Sequence, residues 1–337
     1  MNNSIIPVFI PHIGCPMNCV FCDQRRISGS LLPATADSVR RDVSAALEKL
    51  PAGSRPQIAF YGGSFTAIPA GEQEELLGAA FEFISDGRCS SLRLSTRPDA
   101  IDPERLDRLE RYGVRVIELG SQSMDDEVLA LTNRGHTAED TVCAAGLIKS
   151  RGFSLILQMM TGLPGSTPEK DIATARRIAG LGPDGVRIYP TVIVRGTELY
   201  DMWRSGAYRE HTVEDAVAVC AKIVPIFAAA HIPVIRLGLN PTDDLSGGEA
   251  AAGAYHPALG ELVLSRIYLE RLLVMLDGRR GSGLLTVAVH PSRVSVMVGQ
   301  HRANAEAIRS LTGMKLRAVP DPSAQKDEIT IVSVANA

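Results

Sequence analysis

The stretch IIPVFIPHIGCPMNCVFC, residues 5–22, joins an apolar run to a loop that contains three cysteines. The run Ile5–Ile10 lacks polar alternation, which is typical of a parallel β-strand buried on both faces. Residues 36–50 then repeat apolar side chains at helical spacing. A buried strand, a cysteine-rich loop and a helix in this order predict the first unit of a parallel α/β fold.

The same order recurs along the chain to about residue 237. Short apolar runs predict six more strands, at 58–61, 92–95, 114–119, 154–159, 185–189 and 233–237. Amphipathic segments predict helices between them, at 71–84, 103–112, 137–150, 168–179 and 213–230. These repeats predict an α/β fold that is a partial or full (β/α) barrel, with an open doubly wound sheet as the alternative. In both architectures ligands bind at the carboxyl ends of the strands.

The pattern changes after about residue 240. Residues 240–253 are rich in Gly, Asp and Ser, which predicts a loop. The remainder predicts a small α+β extension, with helices at 258–276 and 302–311 and strands at 284–289, 293–298, 315–319 and 328–334. We therefore divide the chain into a barrel domain, residues 1–240, and a C-terminal extension, residues 241–337. The extension is predicted either to bind RNA or substrate or to be a plain dimerisation or capping domain.

Composition and charge narrow the class of protein. The chain has 337 residues, 45% hydrophobic and 22% charged, as globular proteins do, and its net charge of −3 excludes a surface that is basic overall. Residues 277–321 nevertheless carry an excess of four positive charges, which predicts either a solvated face or a polyanion site. No apolar run of about 18 residues predicts a membrane span, and the N-terminus lacks a signal-peptide pattern. We predict a cytoplasmic protein without membrane association.

Cys15, Cys19 and Cys22 are spaced C-x3-C-x2-C, and soft thiolates select iron–sulfur clusters, zinc or copper(I). A [4Fe–4S] cluster on three cysteines leaves one iron open, and the amino and carboxylate groups of S-adenosylmethionine (SAM) can chelate it. Zinc is the alternative, with His12 near enough in sequence to be the fourth ligand. The other three cysteines, Cys89, Cys143 and Cys220, are predicted to be small buried apolar residues.

Taken together, the motifs resemble the radical SAM proteins, and more narrowly the Elongator catalytic-subunit family, which also carries a histone-acetyltransferase-like label. The resemblance covers roughly residues 5–240. It rests on Cys15–Cys22, Gly62–Phe65, Thr96–Asp99, Gly120–Ser123, Thr132–Thr137, Met159–Met160, Leu163–Pro164 and several matches within residues 183–206.

The resemblance implies a [4Fe–4S] cluster on the three loop cysteines and a SAM site that includes Phe21, Gly62, Gly63, Ser64, Ser95, Gln122 and Arg134. Phe21 is the aromatic residue that the motif prefers before its last cysteine. Ser95 stands where relatives commonly carry a glutamate that binds ribose hydroxyls. Arg134 stands where an arginine faces the methionine carboxylate, which suits its bidentate fork.

The implied activity is reductive cleavage of SAM to a 5′-deoxyadenosyl radical, for modification of a tRNA base. A reductant such as ferredoxin or flavodoxin would supply the electron. The alternatives are a radical enzyme on a small molecule such as a tetrapyrrole, like the oxygen-independent coproporphyrinogen oxidases, and a non-catalytic Fe–S or zinc RNA-binding scaffold. We find no acyl-CoA motif after residue 240, so the acetyltransferase domain of the Elongator family is not expected here.

Other candidate residues are less specific. Tyr189, Arg195 and Tyr200 follow the sixth predicted strand, near the expected substrate entrance, and could stack on nucleobases. Met159 and Met160 could line an adenine pocket or fill the core. Residues 298–304 weakly resemble the GxxG loop of a KH RNA-binding module, with Arg302 in place of the second glycine. No catalytic residue is predicted.

Overall fold

The computed structural model describes residues 4–10, 14–23, 34–239 and 250–335. The chain forms two compact units. The first consists of residues 1–212 and 226–255, and the second of residues 213–225 and 256–337. The division at residue 240 stays a prediction.

Seven parallel strands form the main sheet of the first unit. They are β1 (Ile5–Phe9), β2 (Gln57–Tyr61), β3 (Ser91–Thr96), β4 (Val114–Gln122), β5 (Ser154–Thr161), β6 (Gly185–Pro190) and β8 (Val234–Leu237). Their spatial order follows their chain order, and every neighbouring pair is parallel. Because β1 and β8 do not pair with each other in the described residues, the sheet is an open, partial (β/α) barrel. The predicted fold class is confirmed.

Helices connect these strands, and several of them begin at a residue whose side chain caps the helix. They are α1 (Ala36–Glu48), α2 (Ala70–Ser85), α3 (Pro103–Arg111), α4 (Asp126–Leu131), α5 (Ala138–Ser150), α6 (Pro168–Gly180) and α7 (Glu198–Arg204), followed by α8 (Val213–Ala229). Thr137 forms a capping box with Asp140, and Thr167 caps α6 ahead of a proline at its first position. These polar signals explain why the starts of α5 and α6 could be read from the sequence.

A short antiparallel pair corrects one prediction. β7 (Val192–Val194) pairs with β9 (Ala250–Gly253), so the predicted loop is wrong at residues 250–253, while residues 240–249 lie outside the described part of the chain. A Cβ at Gly253 would lie 2.9 Å from the Thr191 carbonyl oxygen. Close backbone approach therefore demands small residues in β9, and an Ala-Ala-Ala-Gly run carries no strand pattern.

Among the described residues, the second unit contains a three-stranded sheet, the first part of α8 (residues 213–225) and three further α-helices. Its strands are β10 (Leu284–Val289), β11 (Lys315–Pro320) and β12 (Ile329–Ala335), in the order β11-β10-β12, with β10–β11 parallel and β10–β12 antiparallel. Its helices are α9 (Leu259–Leu276), α10 (Val294–Val298) and α11 (Ala303–Thr312). Its core includes Leu272, Leu285, Val287 and Ile308. The small α+β extension is thus present from residue 256 onward.

The predicted strand at 293–298 is wrong, because this segment is the helix α10. Its valines alternate with other residues and so imitate a strand. In the structure the adjacent residues Val296 and Met297 are both buried. A helix can bury two adjacent side chains on one face, whereas a half-buried strand would point them to opposite faces. The Ser265 hydroxyl also donates a 2.9 Å hydrogen bond to the Val296 carbonyl.

Among the described residues, no helix has the length and apolar character that crossing a bilayer requires.

Candidate active site

A cavity of about 530 Å³ lies in the first unit, on the inner face of the partial barrel. Its volume is in the range of ligand pockets. All ten residues predicted to hold the cluster or the cofactor line it, namely Cys15, Cys19, Phe21, Cys22, Gly62, Gly63, Ser64, Ser95, Gln122 and Arg134. Parallel strands bring them together because their carboxyl ends meet at one edge of the sheet. Their individual roles stay predictions.

The cysteine loop is held from both sides by backbone hydrogen bonds. The Val20 amide donates to the Thr132 carbonyl (3.2 Å), and the Val20 carbonyl accepts from the Leu199 amide (2.7 Å). Val20 itself is buried, so it anchors the loop between the two contacts. Gly14 precedes the first cysteine with a φ of +74°, and a Cβ there would lie 2.3 Å from the Ser64 carbonyl oxygen. Only glycine fits at that position.

The three loop cysteines are half-buried. The Cys15 Sγ lies 3.4 Å from the Ser64 Oγ, and the Cys22 amide donates to the Cys19 carbonyl (3.0 Å). The Cys19 Sγ accepts a 3.1 Å hydrogen bond from Arg134 Nη1. A guanidinium at this distance complements the negative charge of a ligating thiolate.

No three Cys, His, Asp or Glu side chains in the described part of the chain are gathered tightly enough to hold a single metal ion. His12, the proposed fourth ligand of the zinc alternative, lies outside the described residues. The three cysteines nevertheless line one cavity. In a [4Fe–4S] cluster each thiolate binds a different iron, so the sulfurs do not have to share a single ion.

Gln122 and Arg134 each present an unsatisfied buried atom at the cavity. Gln122 ends β4 with a φ of +61°, which is rare for a residue with a side chain, and its Oε1 has no hydrogen-bond partner within the described structure. Arg134 Nη2 donates to the Gly120 carbonyl (2.7 Å), while its Nε is buried without a partner in the described residues. An acceptor and a cationic donor left open in one cavity suit a ligand that carries an amino group and a carboxylate.

Two residues of the motifs quoted above, Arg97 and His136, support the loop that carries Arg134. Arg97 is buried and donates to both Asp99 carboxylate oxygens (2.6 and 2.9 Å) and to the Arg134 carbonyl (2.6 Å). The His136 Nε2 lies 3.2 Å from the Ser121 carbonyl oxygen, at the end of β4. Burial, reinforced by Arg134, lowers the pKa of His136 to about 4, so the imidazole is neutral near pH 7.

A buried carboxylate occupies the floor of the cavity, and the sequence analysis missed it. Glu118 accepts hydrogen bonds from the Tyr61 hydroxyl (2.7 Å) and Gln158 Nε2 (3.0 Å) and forms ion pairs with Arg93 (2.7 Å) and Arg187 (2.8 Å). Burial and then the Glu118 charge raise the pKa of Tyr61, so its hydroxyl stays a donor. The only signal in the sequence is a glutamate inside the apolar strand VRVIELGSQ.

Glu118 does not replace the glutamate that the resemblance places at Ser95. Ser95 and Glu118 are register partners on β3 and β4, and both line the cavity. However, both carboxylate oxygens of Glu118 are already occupied by the four neighbouring donors. Of these two residues, Ser95 is therefore the one whose hydroxyl could contact a ribose, and a hydroxyl is a weaker partner than a carboxylate.

The remaining predicted residues divide into cavity and surface positions. Tyr189 and Met160 line the cavity, whereas Met159 lies in the core. Arg195 and Tyr200 do not line it, and instead contact each other, with the guanidinium 5.8 Å from the ring centre.

Cys89 and Cys220 are buried, as predicted. The prediction for Cys143 is wrong, because its side chain lies on the exposed face of α5.

Known proteins are similar to this chain in sequence and in fold. A model of the radical SAM superfamily matches residues 9–178, and one of the radical SAM C-terminal domain matches residues 183–269. A tRNA uridine(34) acetyltransferase of Methanocaldococcus infernus is 33% identical over 187 residues, which is 55% of this chain and 34% of the relative. Elongator complex protein 3 of Schizosaccharomyces pombe is 31% identical over 265 residues, 72% of this chain and 48% of the relative. The chain thus spans a third to a half of the length of these relatives.

Solved structures agree on the fold. The archaeal Methanocaldococcus infernus Elp3 with an N-terminal deletion superposes with a TM-score of 0.63 at 24% identity, over 83% of this chain and 66% of that one. Coproporphyrinogen III oxidase (HemN) from Escherichia coli superposes with a TM-score of 0.51 at 20% identity, over 67% and 52%. The first superfamily model alone covers half of the chain, and enzymes that it describes use a [4Fe–4S] cluster and SAM. This chain belongs to the radical SAM superfamily.

Proposed function

We propose that this radical SAM enzyme modifies a tRNA base, as an Elongator-like enzyme. The observation that carries the cofactor part is the convergence of ten predicted residues on one cavity. The RNA part is supported by the identity of 31–33% with proteins named tRNA uridine(34) acetyltransferase and Elongator complex protein 3. The basic excess in residues 277–321 is consistent with an RNA partner.

Each part of the cofactor would have its own residues. Cys15, Cys19 and Cys22 would hold the cluster, and the Gly62-Gly63-Ser64 turn would let the backbone approach the methionine amino group. Gly62 has a φ of +88°, which opens this turn at little cost. Arg134 would bind the methionine carboxylate. When both groups are bound, electron transfer from the reduced cluster cleaves SAM and supplies a 5′-deoxyadenosyl radical.

The protein itself has to orient SAM and exclude water from the radical. Apolar side chains from three parts of the first unit line the cavity for this purpose, among them Phe9, Phe21, Val192 and Val194. Gln122 and Arg134 would fix the methionine end from the β4 side. A reductant such as ferredoxin or flavodoxin and a cytoplasmic location are further parts of the proposal. The likeness to coproporphyrinogen oxidase concerns the fold alone and does not favour a tetrapyrrole substrate.

Anaerobic reconstitution of the cluster tests the cofactor assignment. We expect each of Cys15→Ala, Cys19→Ala and Cys22→Ala to lose most of the bound iron and all release of 5′-deoxyadenosine under a strong reductant. Cys143→Ala is the matched control, since that thiol is exposed on α5 and outside the cavity. Iron retention and full activity in any one of the three loop variants would contradict the assignment.

The substrate is tested with bulk tRNA. We expect tRNA to stimulate 5′-deoxyadenosine release, and we expect a new modified nucleoside by mass spectrometry of the digested tRNA. Release that is indifferent to tRNA, without a new nucleoside, would remove the RNA part and leave the radical SAM chemistry intact.

A further inference from the structure

The charges that line the cavity do not balance. Four arginines line it, Arg97, Arg134, Arg187 and Arg236, but the only acidic lining residue among those described is Glu118. Arg97 is neutralised by Asp99 outside the lining. Arg134 faces the Cys19 sulfur and the methionine side of the proposed cofactor site. The imbalance therefore concentrates on the opposite side, at β6 and β8.

Glu118 cannot neutralise that side by itself. Its side chain is 1% exposed and is shared by two guanidinium groups, Arg93 (9% exposed) and Arg187 (14% exposed). One carboxylate between two arginines leaves one positive charge in excess. Since buried cations are costly without a counter-charge, this cluster is an incomplete ion-pair arrangement.

Arg236 adds a further positive charge beside this cluster. It is half-buried on β8 and is the register partner of Arg187 on β6, and paired strands lie about 4.8 Å apart. No hydrogen bond or ion pair joins Arg236 to a carboxylate of the described chain. Tyr189 also lines the cavity. It hydrogen-bonds to Arg187 and interacts electrostatically with Arg236. Two neighbouring guanidinium groups thus face one cavity, and no carboxylate in the described part of the chain compensates two of the positive charges gathered there.

We propose that Arg187 and Arg236 bind an anionic group, a carboxylate or a phosphate, of a substrate that enters the cavity together with SAM. The inference rests on the proposed cofactor site, because it takes the methionine carboxylate to lie at Arg134 instead. Arginine pairs suit this role, since their planar forks bind carboxylate and phosphate oxygens bidentately. Glu118 is then a positioning residue that holds Arg187 in place. The anion belongs either to a small co-substrate or to an RNA strand.

Calorimetric titration of the reconstituted enzyme tests this site. The probes are malonate, inorganic phosphate and a uridine trinucleotide, each titrated both without SAM and with SAM at saturation. No reductant is added, so that no turnover occurs. We expect at least one probe to bind with a stoichiometry of one. Arg236→Gln should weaken that binding at least tenfold, and Arg236→Lys should weaken it less than Arg236→Gln does, because lysine keeps the charge but loses the planar fork. Arg115→Gln is the matched control, since Arg115 is an exposed arginine on β4 outside the cavity.

The outcomes separate the site from the cofactor assignment. Binding of malonate or free phosphate points to a small co-substrate, and binding of the trinucleotide alone points to the RNA backbone; both support the site. Equal binding by wild type and Arg236→Gln overturns it, as does loss of probe binding when SAM is added, because the probe would then occupy the methionine carboxylate position. Binding of no probe overturns it as well. SAM binding and 5′-deoxyadenosine release by the wild-type enzyme test the proposed function separately.

Discussion

Replacing Glu118 by Gln should destabilise the first unit strongly. The change keeps the shape of the side chain but removes the negative charge that Arg93 and Arg187 share. It also replaces one carboxylate oxygen by an amide NH2 group, which is a donor. The guanidinium nitrogens of Arg93 and Arg187, also donors, lie 2.7 to 3.1 Å from the Glu118 oxygens, so two donors would face each other. Both arginines would remain buried around an uncharged group.

The magnitude follows from the burial of the cluster. Removing one partner of a buried ion pair costs about 3–5 kcal/mol, because the remaining charge keeps its desolvation penalty. For a unit of this size, about 1 kcal/mol corresponds to a shift of roughly 2–4 °C in the unfolding midpoint. We therefore expect Glu118→Gln to lower the unfolding temperature by roughly 6–20 °C.

Thermal and urea unfolding, followed by circular dichroism under anaerobic conditions, would measure the change. Glu82→Gln is the matched control, because it removes the same charge from an exposed pair with Arg40. Exposed pairs contribute little, so its curve should overlay the wild type. The reasoning is refuted if the midpoint of Glu118→Gln falls by less than about 2 °C, or if the two variants shift equally.

Three further predictions concern single contacts of the site. Gly14→Ala should incorporate much less iron than the control Gly53→Ala. Both glycines have a positive φ, but only at Gly14 would an added Cβ lie 2.3 Å from a carbonyl oxygen. Equal iron contents in the two variants would contradict this prediction. His136 has a pKa of about 4 against about 6.5 in the unfolded chain, so its contribution to stability is complete above pH 6.5 and is lost as the pH falls toward 4. In urea unfolding, the free energy of unfolding of His136→Gln should therefore fall less between pH 7 and pH 4.5 than that of the wild type. An equal fall in both proteins would contradict this prediction. Arg134→Lys should weaken SAM binding in equilibrium dialysis about tenfold, because lysine lacks the planar guanidinium that bonds Gly120 through Nη2 while its Nε stays open toward the carboxylate. An unchanged affinity would exclude the assigned role.

Much of the fold could be predicted because its signals are local. The strands of the barrel are short apolar runs, and helices such as α6 begin at a threonine followed by proline. The errors occur where tertiary contacts override the local pattern. Residues 294–298 alternate like a strand yet form the helix α10, and Ala250–Gly253 lack strand character yet pair with β7. Cys143 has the same chemistry as Cys89, and only the orientation of its helix makes it exposed.

The sequence by itself determined the kind of chemistry, because the spacing C-x3-C-x2-C and the glycine and arginine motifs are properties of contiguous residues. It also determined that these motifs follow strands, and therefore that they meet at one edge of a parallel sheet. Only the tertiary structure decided which charges share the cavity. Arg93, Glu118, Arg187 and Arg236 lie on four different strands, and their pairing depends on strand register, which no local pattern encodes.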